Sequence, residues 1–300
     1  MSFARKPIAL AVALTLPAAF VAGARALADE TTTTTLPEVT VSAPRDKAAT
    51  PSTVLDADGL ATGRAATSDS ASLLRDIPGM SVYTGGGVSS LPALNGLADD
   101  RLRIKVDGMD LVSACGNHMN PPLSYIDPTG VGTIKVFAGI VPVSVGGDSI
   151  GGAIQVESPA PEFAAPGQGL LTKGEVGAFY RSNGDAQGGN LAATAASEKL
   201  NLSYRGSTAR ADDYKAGDSF KTAGLAAAGQ EWLDGDEVGS TMYKSTNQSL
   251  ALAMRQDNHL LEMKLGVQDI PFQGWANQRM DMTGNDSEQV NLRYEGQYDW

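Results

Sequence analysis

The chain has 300 residues, of which 42% are apolar and 19% are charged. This composition supplies one or two packed domains and excludes both a disordered chain and a small disulfide-held fold. The 34 acidic and 23 basic residues give a net charge of −11, which argues against nucleic acid as a partner because phosphate binding requires a basic surface. Cys115 is the only cysteine, so no internal disulfide can form, and its thiol is either inert and buried or reactive.

Residues 1–28 have the pattern of a secretory signal peptide. Arg5 and Lys6 precede an apolar run from Ile8 to Ala22, and Ala26-Leu27-Ala28 supplies the small residues that signal peptidase recognises. A membrane anchor is the alternative, but Pro17 interrupts the run and no stop-transfer pattern follows. No later stretch has the roughly 18 consecutive apolar residues of a spanning helix. We therefore predict an exported protein that enters a membrane, if it does so, as a barrel.

Residues 29–52 are predicted to form a flexible tail, because their acidic and Thr-rich start offers little apolar surface. Within the tail, residues 36–44 form a short β-prone alternation bounded by prolines, which begins with Leu36, Pro37, Glu38, Val39, Thr40 and Val41. Such a segment can add as a strand to the sheet edge of a partner protein. The residues alone fit an ordinary linker equally well.

Residues 53–158 are predicted to form a globular domain of short strands. A helical turn is expected at Ser72–Ile77, before Pro78-Gly79. Strands are expected at 101–106, 132–138 and 152–157, and Asp107-Gly108 has the chemistry of a hairpin turn. The glycine cluster at 146–151 lacks the Lys-Ser/Thr ending of a phosphate-binding loop, which argues against a nucleotide site. The proline-rich segment 159–169 is the expected domain boundary.

Residues 170–300 alternate between apolar and polar side chains, as the wall of a membrane barrel requires. Six strands are predicted, near 173–181, 190–197, 199–209, 245–256, 259–269 and 287–300. Short turns at 197–199 and 256–258 alternate with longer loops at 182–189, 210–244 and 270–286, which is the loop rule of outer-membrane barrels. A soluble β-sandwich is the alternative. Six strands cannot enclose the preceding domain, since a plugged lumen needs on the order of 22 strands, so the sequence looks truncated.

These features together resemble the TonB-dependent outer-membrane receptors. The resemblance rests on the leader, on the Pro-Glu-Val-Thr-Val segment, and on four stretches of the globular domain at 73–80, 103–109, 134–139 and 146–154. It implies a mainly β fold, in which an α+β plug domain is followed by the first strands of a large transmembrane antiparallel β-barrel. It also implies that residues 36–44 are a TonB box and that the partners are the TonB protein and outer-membrane lipid. One departure is Leu94-Asn95-Gly96, where many members have Ile-Arg-Gly.

The segment from Ser113 to Pro122 carries the candidate ligand site. Cys115 and Met119 are four residues apart beside Gly116 and a Pro pair, and soft sulfur donors select copper, especially Cu(I). By itself Cys-x-x-x-Met is a weak pattern, since an inert Cys beside a space-filling Met is commoner. Continued through Pro128, the segment resembles the TonB-dependent copper receptors, whose plug supplies a Cys and a Met to the ion. The resemblance implies Cys115 and Met119 as copper ligands.

Other residues are weaker candidates for the same site. His118 has an imidazole suited to Cu(II), but a histidine in such a loop is more often an ordinary surface residue. Met109, Met280 and Met282 offer thioethers for transient contacts with an entering ion. The copper receptors also use a His-x-Met pair on the barrel side, which is absent from these 300 residues, so we expect that pair beyond Trp300.

We therefore predict an importer of copper into the periplasm and not an enzyme. Two alternatives stay open: a receptor of the same architecture for a siderophore, haem or cobalamin, or a binding module without transport.

Overall fold

The computed structural model describes residues 52–113, 115–146, 149–226, 231–276 and 280–297. The predicted signal peptide at 1–28 and TonB box at 36–44 lie outside these residues. All of the described residues belong to one compact unit. In this part of the chain, none of the helices has the length and apolar character needed to cross a membrane.

The described residues of the predicted plug domain, which is called the plug below, contain seven strands and one α-helix. The strands are β1 (Ser52–Leu55), β2 (Met80–Gly86), β3 (Ser89–Leu94), β4 (Arg103–Val106), β5 (Met109–Asp110), β6 (Thr133–Ala138) and β7 (Gly152–Glu157). Helix α1 spans Ala57–Ala66, and its first turn is capped by the Asp56 carboxylate, which accepts from the Gly59 N–H. Short 3₁₀ helices lie at Ser70–Leu74, Asp99–Arg101, Pro122–Tyr125, Pro128–Gly130 and Val143–Val145.

Five of these strands form one mixed sheet in the order β1-β6-β7-β4-β5, with β4 parallel to β7. The predicted hairpin turn is confirmed: Asp107 and Gly108 both have positive φ, at 51° and 78°, as a two-residue type I′ turn requires. The predicted strands at 101–106, 132–138 and 152–157 are also confirmed, although β4 begins only at Arg103. The helical turn lies slightly earlier than predicted, at Ser70–Leu74. Helix α1, strand β1 and the β2–β3 hairpin were not predicted.

Six long antiparallel strands follow the plug and form one sheet, which we call the wall. They are β8 (Leu171–Arg181), β9 (Ala186–Ala196), β10 (Leu200–Ala211), β15 (Tyr243–Gln256), β16 (His259–Trp275) and β18 (Asn285–Gly296). The short strands β11 (Tyr214–Lys215), β12 (Gly224–Leu225), β13 (Trp232–Leu233) and β14 (Glu237–Val238) lie in the long connection between β10 and β15. The wall has the order β8-β9-β10-β15-β16, and β16 then pairs with β18 along its first part and with β17 (Met280–Met282) at its end.

The two faces of this wall differ in the way that the alternation predicts. Aligned residues on neighbouring strands form apolar rows on the outer face, where their side chains are exposed. One row consists of Leu202, Leu252, Met263 and Leu292. The corresponding inner row one residue along consists of Asn201, Ala253, Glu262 and Arg293. An apolar outer band with a polar inner face is the pattern of a membrane-barrel wall.

Two of the predicted loops are wrong in extent. The connection predicted at 182–189 contains only Ser182–Asp185, because Gly184 and Asp185 adopt positive φ and close a tight turn. Gly188 and Gly189 lie instead within β9, where a side chain at Gly188 would collide with the carbonyl oxygen of Thr208. The loop predicted at 270–286 is also shorter, since β16 continues to Trp275 and pairs with β17. The long connection at 210–244 and the two short turns are confirmed.

Strand β16 joins the wall to the plug through ionic contacts near its beginning. Lys264 pairs with Asp107 of the plug turn, and both side chains are largely buried. Arg293, on the adjacent β18, bonds Glu157 of β7 at 3.2 Å and Glu262 at 2.8 Å. Burial and, secondarily, the nearby Asp107 carboxylate raise the pKa of Glu157. The barrel cations thus compensate two neighbouring plug carboxylates, which we call the ionic seam.

The plug also contacts the wall at a second place, which is apolar and closely packed. The tip of the β2–β3 hairpin inserts Val88 into a cluster that includes Ala209, Tyr243 and Ile270 of the wall. The tip is rich in glycine because the wall approaches its backbone: a Cβ at Gly87 would lie 2.0 Å from the Tyr243 ring. This hairpin tip therefore fits against the wall only without side chains at its glycines.

We predict that Gly87→Ala loosens this contact. Because the added methyl overlaps the Tyr243 ring, the opening free energy of the β2–β3 hairpin should fall by about 1–3 kcal/mol, measured by hydrogen exchange of its amides. Gly217→Ala is the matched control, since a Cβ there meets no atom within 4 Å. Equal exchange in both variants would contradict the packing described here.

Candidate metal centre between plug and wall

The segment that contains Cys115 is a compact turn after β5. The His118 N–H donates to the Cys115 carbonyl oxygen at 2.9 Å, and His118 itself adopts a positive φ of 52°. The Asn117 N–H donates to the Cys115 sulfur at 3.4 Å, and the Ser113 hydroxyl donates to the Cys115 carbonyl oxygen at 2.8 Å. The backbone therefore reverses between the two sulfur-bearing residues, as expected for the loop predicted from Gly116 and the prolines.

Cys115 and His118 line a cleft of about 510 Å³ in the plug, together with the carboxylates of Asp99, Asp100 and Asp110. Cys115 is a free thiol and is partly exposed. The His118 imidazole is 3.4 Å from an Asp99 carboxylate oxygen. Hydrogen bonding from the Arg103 guanidinium holds the pKa of Asp110 below its usual value. The cleft thus presents acidic and thiol groups to solvent, which suits an approaching cation.

No ready-made cluster of charged ligands is found in the described part of the chain: nowhere do three His, Cys, Asp or Glu side chains group so that they could hold a metal. Any site here must therefore combine fewer of these groups with other donors, such as thioethers.

Met119 lies on the other side of the turn and is held between plug and wall. Its side chain is 8% exposed, and it is not among the residues that line the cleft. The Met119 carbonyl oxygen accepts a hydrogen bond from the Ser89 hydroxyl of β3 and another, at 3.2 Å, from the Trp275 indole N–H of β16. One donor belongs to the plug and the other to the wall. We call this pair of contacts the Met119 clamp.

Met282 approaches the same segment from the wall. The side-chain amide of Asn120 donates to the Met282 sulfur at 3.6 Å. The predicted outward loop is in fact ordered here as β17, with Met282 paired to Gln273 across the sheet. The structure therefore brings the Met282 thioether to the residue next to Met119, although 162 positions separate Asn120 from Met282 in the sequence.

The remaining candidates lie in less suitable places. Met280 is on the same short strand but is 49% exposed. Met109 is half-buried in β5 and does not line the cleft beside Cys115. Sequence reasoning did not select Asn120, Ser89 or Trp275. The sequence pattern gave no sign of their role, because each acts through a contact between segments that are far apart in the chain.

Comparison with known proteins identifies the domain. Residues 44–153 match the family model of the TonB-dependent receptor plug domain. No curated protein sequence matches the chain.

Several solved structures are similar over most of the chain. The copper transporter OprC is 27% identical, with a TM-score of 0.65, over 81% of this chain and 34% of its own. The FrpB iron transporter from Neisseria meningitidis, in an apoprotein form, is 17% identical, with a TM-score of 0.61, over 80% of this chain and 36% of its own. A mutant of the ferric enterobactin receptor PfeA from Pseudomonas aeruginosa, in complex with enterobactin, is 14% identical, with a TM-score of 0.57, over 83% of this chain and 39% of its own.

The chain spans about a third of the length of these proteins. The last two similarities show a shared fold only. The plug and the strand wall both correspond to these receptors, which are outer-membrane transport proteins rather than enzymes. Residues 44–153 therefore match a TonB-dependent receptor plug domain, and the strand wall that follows is similar in fold to the corresponding part of these receptors.

Proposed function

We propose that the chain is part of an energy-coupled outer-membrane importer of copper. The observation that carries this proposal is the meeting of the Cys115–Met119 turn with Met282 of the wall, through the Asn120 amide. The similarity to the copper transporter OprC, at 27% identity over 81% of the chain, supports the same substrate.

The donor set fits copper better than a harder cation. Cys115 contributes a thiolate, and Met119 and Met282 contribute thioethers. Soft sulfur ligands favour Cu(I), whereas Mg²⁺ and Ca²⁺ prefer oxygen. Two of these donors come from the plug and one from the wall, and the His-x-Met pair expected beyond Trp300 would add further donors from the barrel side. His118, held by Asp99, remains a candidate for Cu(II) in the acidic cleft, and Met109 and Met280 are peripheral.

This arrangement links release of the ion to movement of the plug. TonB, binding the box at Leu36–Val41, would pull on the segment before β1. A shift of the plug relative to the wall breaks both the Trp275–Met119 contact and the Asn120–Met282 contact. Since Cys115 and Met119 then separate from Met282, the site loses a donor and its affinity for copper falls.

A receptor for a siderophore, haem or cobalamin is the other candidate that the fold allows. The iron and enterobactin receptors share the architecture, but a free thiol four residues from a buried methionine is not needed to bind an organic chelate. A binding module without transport would bind its ligand but would not carry it into the cell when TonB is present. Copper uptake by cells with and without TonB distinguishes these functions, and TonB-independent uptake would contradict the proposal.

We predict that Cys115→Ala and Met119→Ala each weaken binding of Cu(I) by the purified receptor at least about 100-fold, or about 2.7 kcal/mol. Each substitution removes a soft donor that the remaining residues cannot replace. Competition with a chromophoric Cu(I) chelator under reducing conditions measures the affinity. Met263→Leu is the control, because this thioether lies on the exposed outer face of the wall. Wild-type affinity in the Cys115 variant would exclude the site.

We further predict different effects for the two methionines of β17. Met282→Leu keeps the side-chain volume but removes the sulfur beside Asn120, so Cu(I) affinity should fall about 10- to 100-fold. Met280→Leu should change it less than about threefold, because Met280 is exposed. The same competition assay measures both affinities. Equal effects of the two substitutions would contradict a specific role for the Met282 sulfur.

A further inference from the structure

Two buried side-chain amides beside Met282 have atoms without a hydrogen-bond partner. Gln273 is fully buried, and neither its amide oxygen nor its amide nitrogen has a partner among the described residues. Asn120 is 4% exposed; its amide nitrogen donates to Met282, but its amide oxygen is unpaired. Buried polar groups in native proteins are nearly always paired, so each exception requires an explanation.

Both amides adjoin the same thioether. Gln273 is the cross-strand partner of Met282 in the β16–β17 pair, and side chains in such positions lie next to each other on one face of the sheet. Asn120 approaches from the plug and donates to the sulfur at 3.6 Å. The two residues that flank Met282 therefore carry three unpaired amide atoms, at the point where plug and wall meet.

The position of the Gln273 amide is fixed by the plug. A Cβ at Gly86 would lie 2.2 Å from the Gln273 amide nitrogen, so the absence of a side chain at residue 86 is what leaves room for the amide. An apolar residue at position 273 would avoid the cost of burying an unpaired polar group. The protein thus retains a polar group that packing alone does not favour.

We propose that Asn120 and Gln273 are positioning residues for the Met282 thioether in copper binding. The Asn120 N–H holds one lone pair of the sulfur and so directs the other towards the ion. The unpaired amide oxygens accept hydrogen bonds from water molecules that the ion carries as it enters. This inference rests on the proposed copper function and extends it from the ligands to the groups that orient them.

A purely structural role for these amides predicts a different response to substitution. If Gln273 only filled space or supported the sheet, Gln273→Leu would lower stability, and any loss of binding would follow from that. If it serves the ion, Gln273→Leu removes an unpaired group, so the metal-free receptor should keep or increase its melting temperature. Its Cu(I) affinity should nevertheless fall about 10- to 100-fold, as for other groups that orient a metal ligand.

Gln268→Leu provides the matched control. Gln268 is also on β16, is also buried and also has an unpaired amide oxygen. Its amide nitrogen, however, donates to the Ser124 carbonyl at 2.9 Å and to Asn247 at 2.8 Å. We expect Gln268→Leu to lower the melting temperature without changing Cu(I) affinity, which is the reverse of the result for Gln273→Leu.

The experiment measures the melting temperature and Cu(I) affinity of the wild-type receptor and of both variants, with X-ray absorption to count the sulfur ligands of bound copper. Asn120→Leu should retain the Cys115 and Met119 sulfurs but lose one sulfur scatterer. Wild-type affinity in Gln273→Leu, or a fall in melting temperature together with affinity, would overturn the inference alone. A wild-type receptor without Cys115-dependent copper binding would overturn the proposed function and this inference with it.

Discussion

The seating of the plug against the inner face of β16 is the interaction on which the rest of the structure depends. This strand meets the plug along its length: Lys264 bonds Asp107, Gln268 bonds the Ser124 carbonyl, and Trp275 bonds the Met119 carbonyl. The alternation of β16 makes this possible, because every second side chain points inward while Leu261, Met263 and Leu265 form part of the apolar outer band. The outward side chains of this one strand therefore form part of the apolar outer band, and its inward side chains bind the plug.

The proposed metal centre depends on this seating of the plug. Met119 and Asn120 belong to the plug, whereas Trp275 and Met282 belong to the wall, and two hydrogen bonds connect the pairs. A site divided between two bodies responds to their relative movement, which a site built wholly within the plug would not do. In the proposed mechanism, movement of the plug away from the wall breaks the Met119 clamp and lowers the number of sulfur donors around the ion.

The sequence predicted what depends on local pattern and missed what depends on distant contacts. The two-residue alternation predicted the long strands, and Asp107-Gly108 predicted its turn, since both are determined by neighbouring residues. Cys115 and Met119 were found through a resemblance within one segment. The approach of Met282 to Asn120 was not, because no periodicity relates residues on separate bodies. The error at 182–189 has a local cause: Gly188 and Gly189 suggest a loop, but here they allow close strand pairing.

The composition of the seam explains how the plug can move without unfolding. The plug has its own apolar core, which includes Leu74, Ile134 and Ile154 and is separate from the cluster around Val88. Its contacts with β16 are mostly polar, and each exchanges for water at a net cost of about 0.5–1.5 kcal/mol for a neutral bond and about 1.5–3 kcal/mol for a bond to a charged group. Opening the ionic seam therefore costs less than disrupting the core, although it exposes Glu157 and Asp107 once their barrel cations withdraw. Water then solvates both carboxylates. Because Glu157 is no longer buried, the main cause of its raised pKa is removed. The apolar contact of Val88 with the wall does not exchange for water in this way, so it opposes separation of the plug from the wall. A force on the plug from the periplasmic side should therefore break the ionic seam first and the contact of the β2–β3 hairpin tip last.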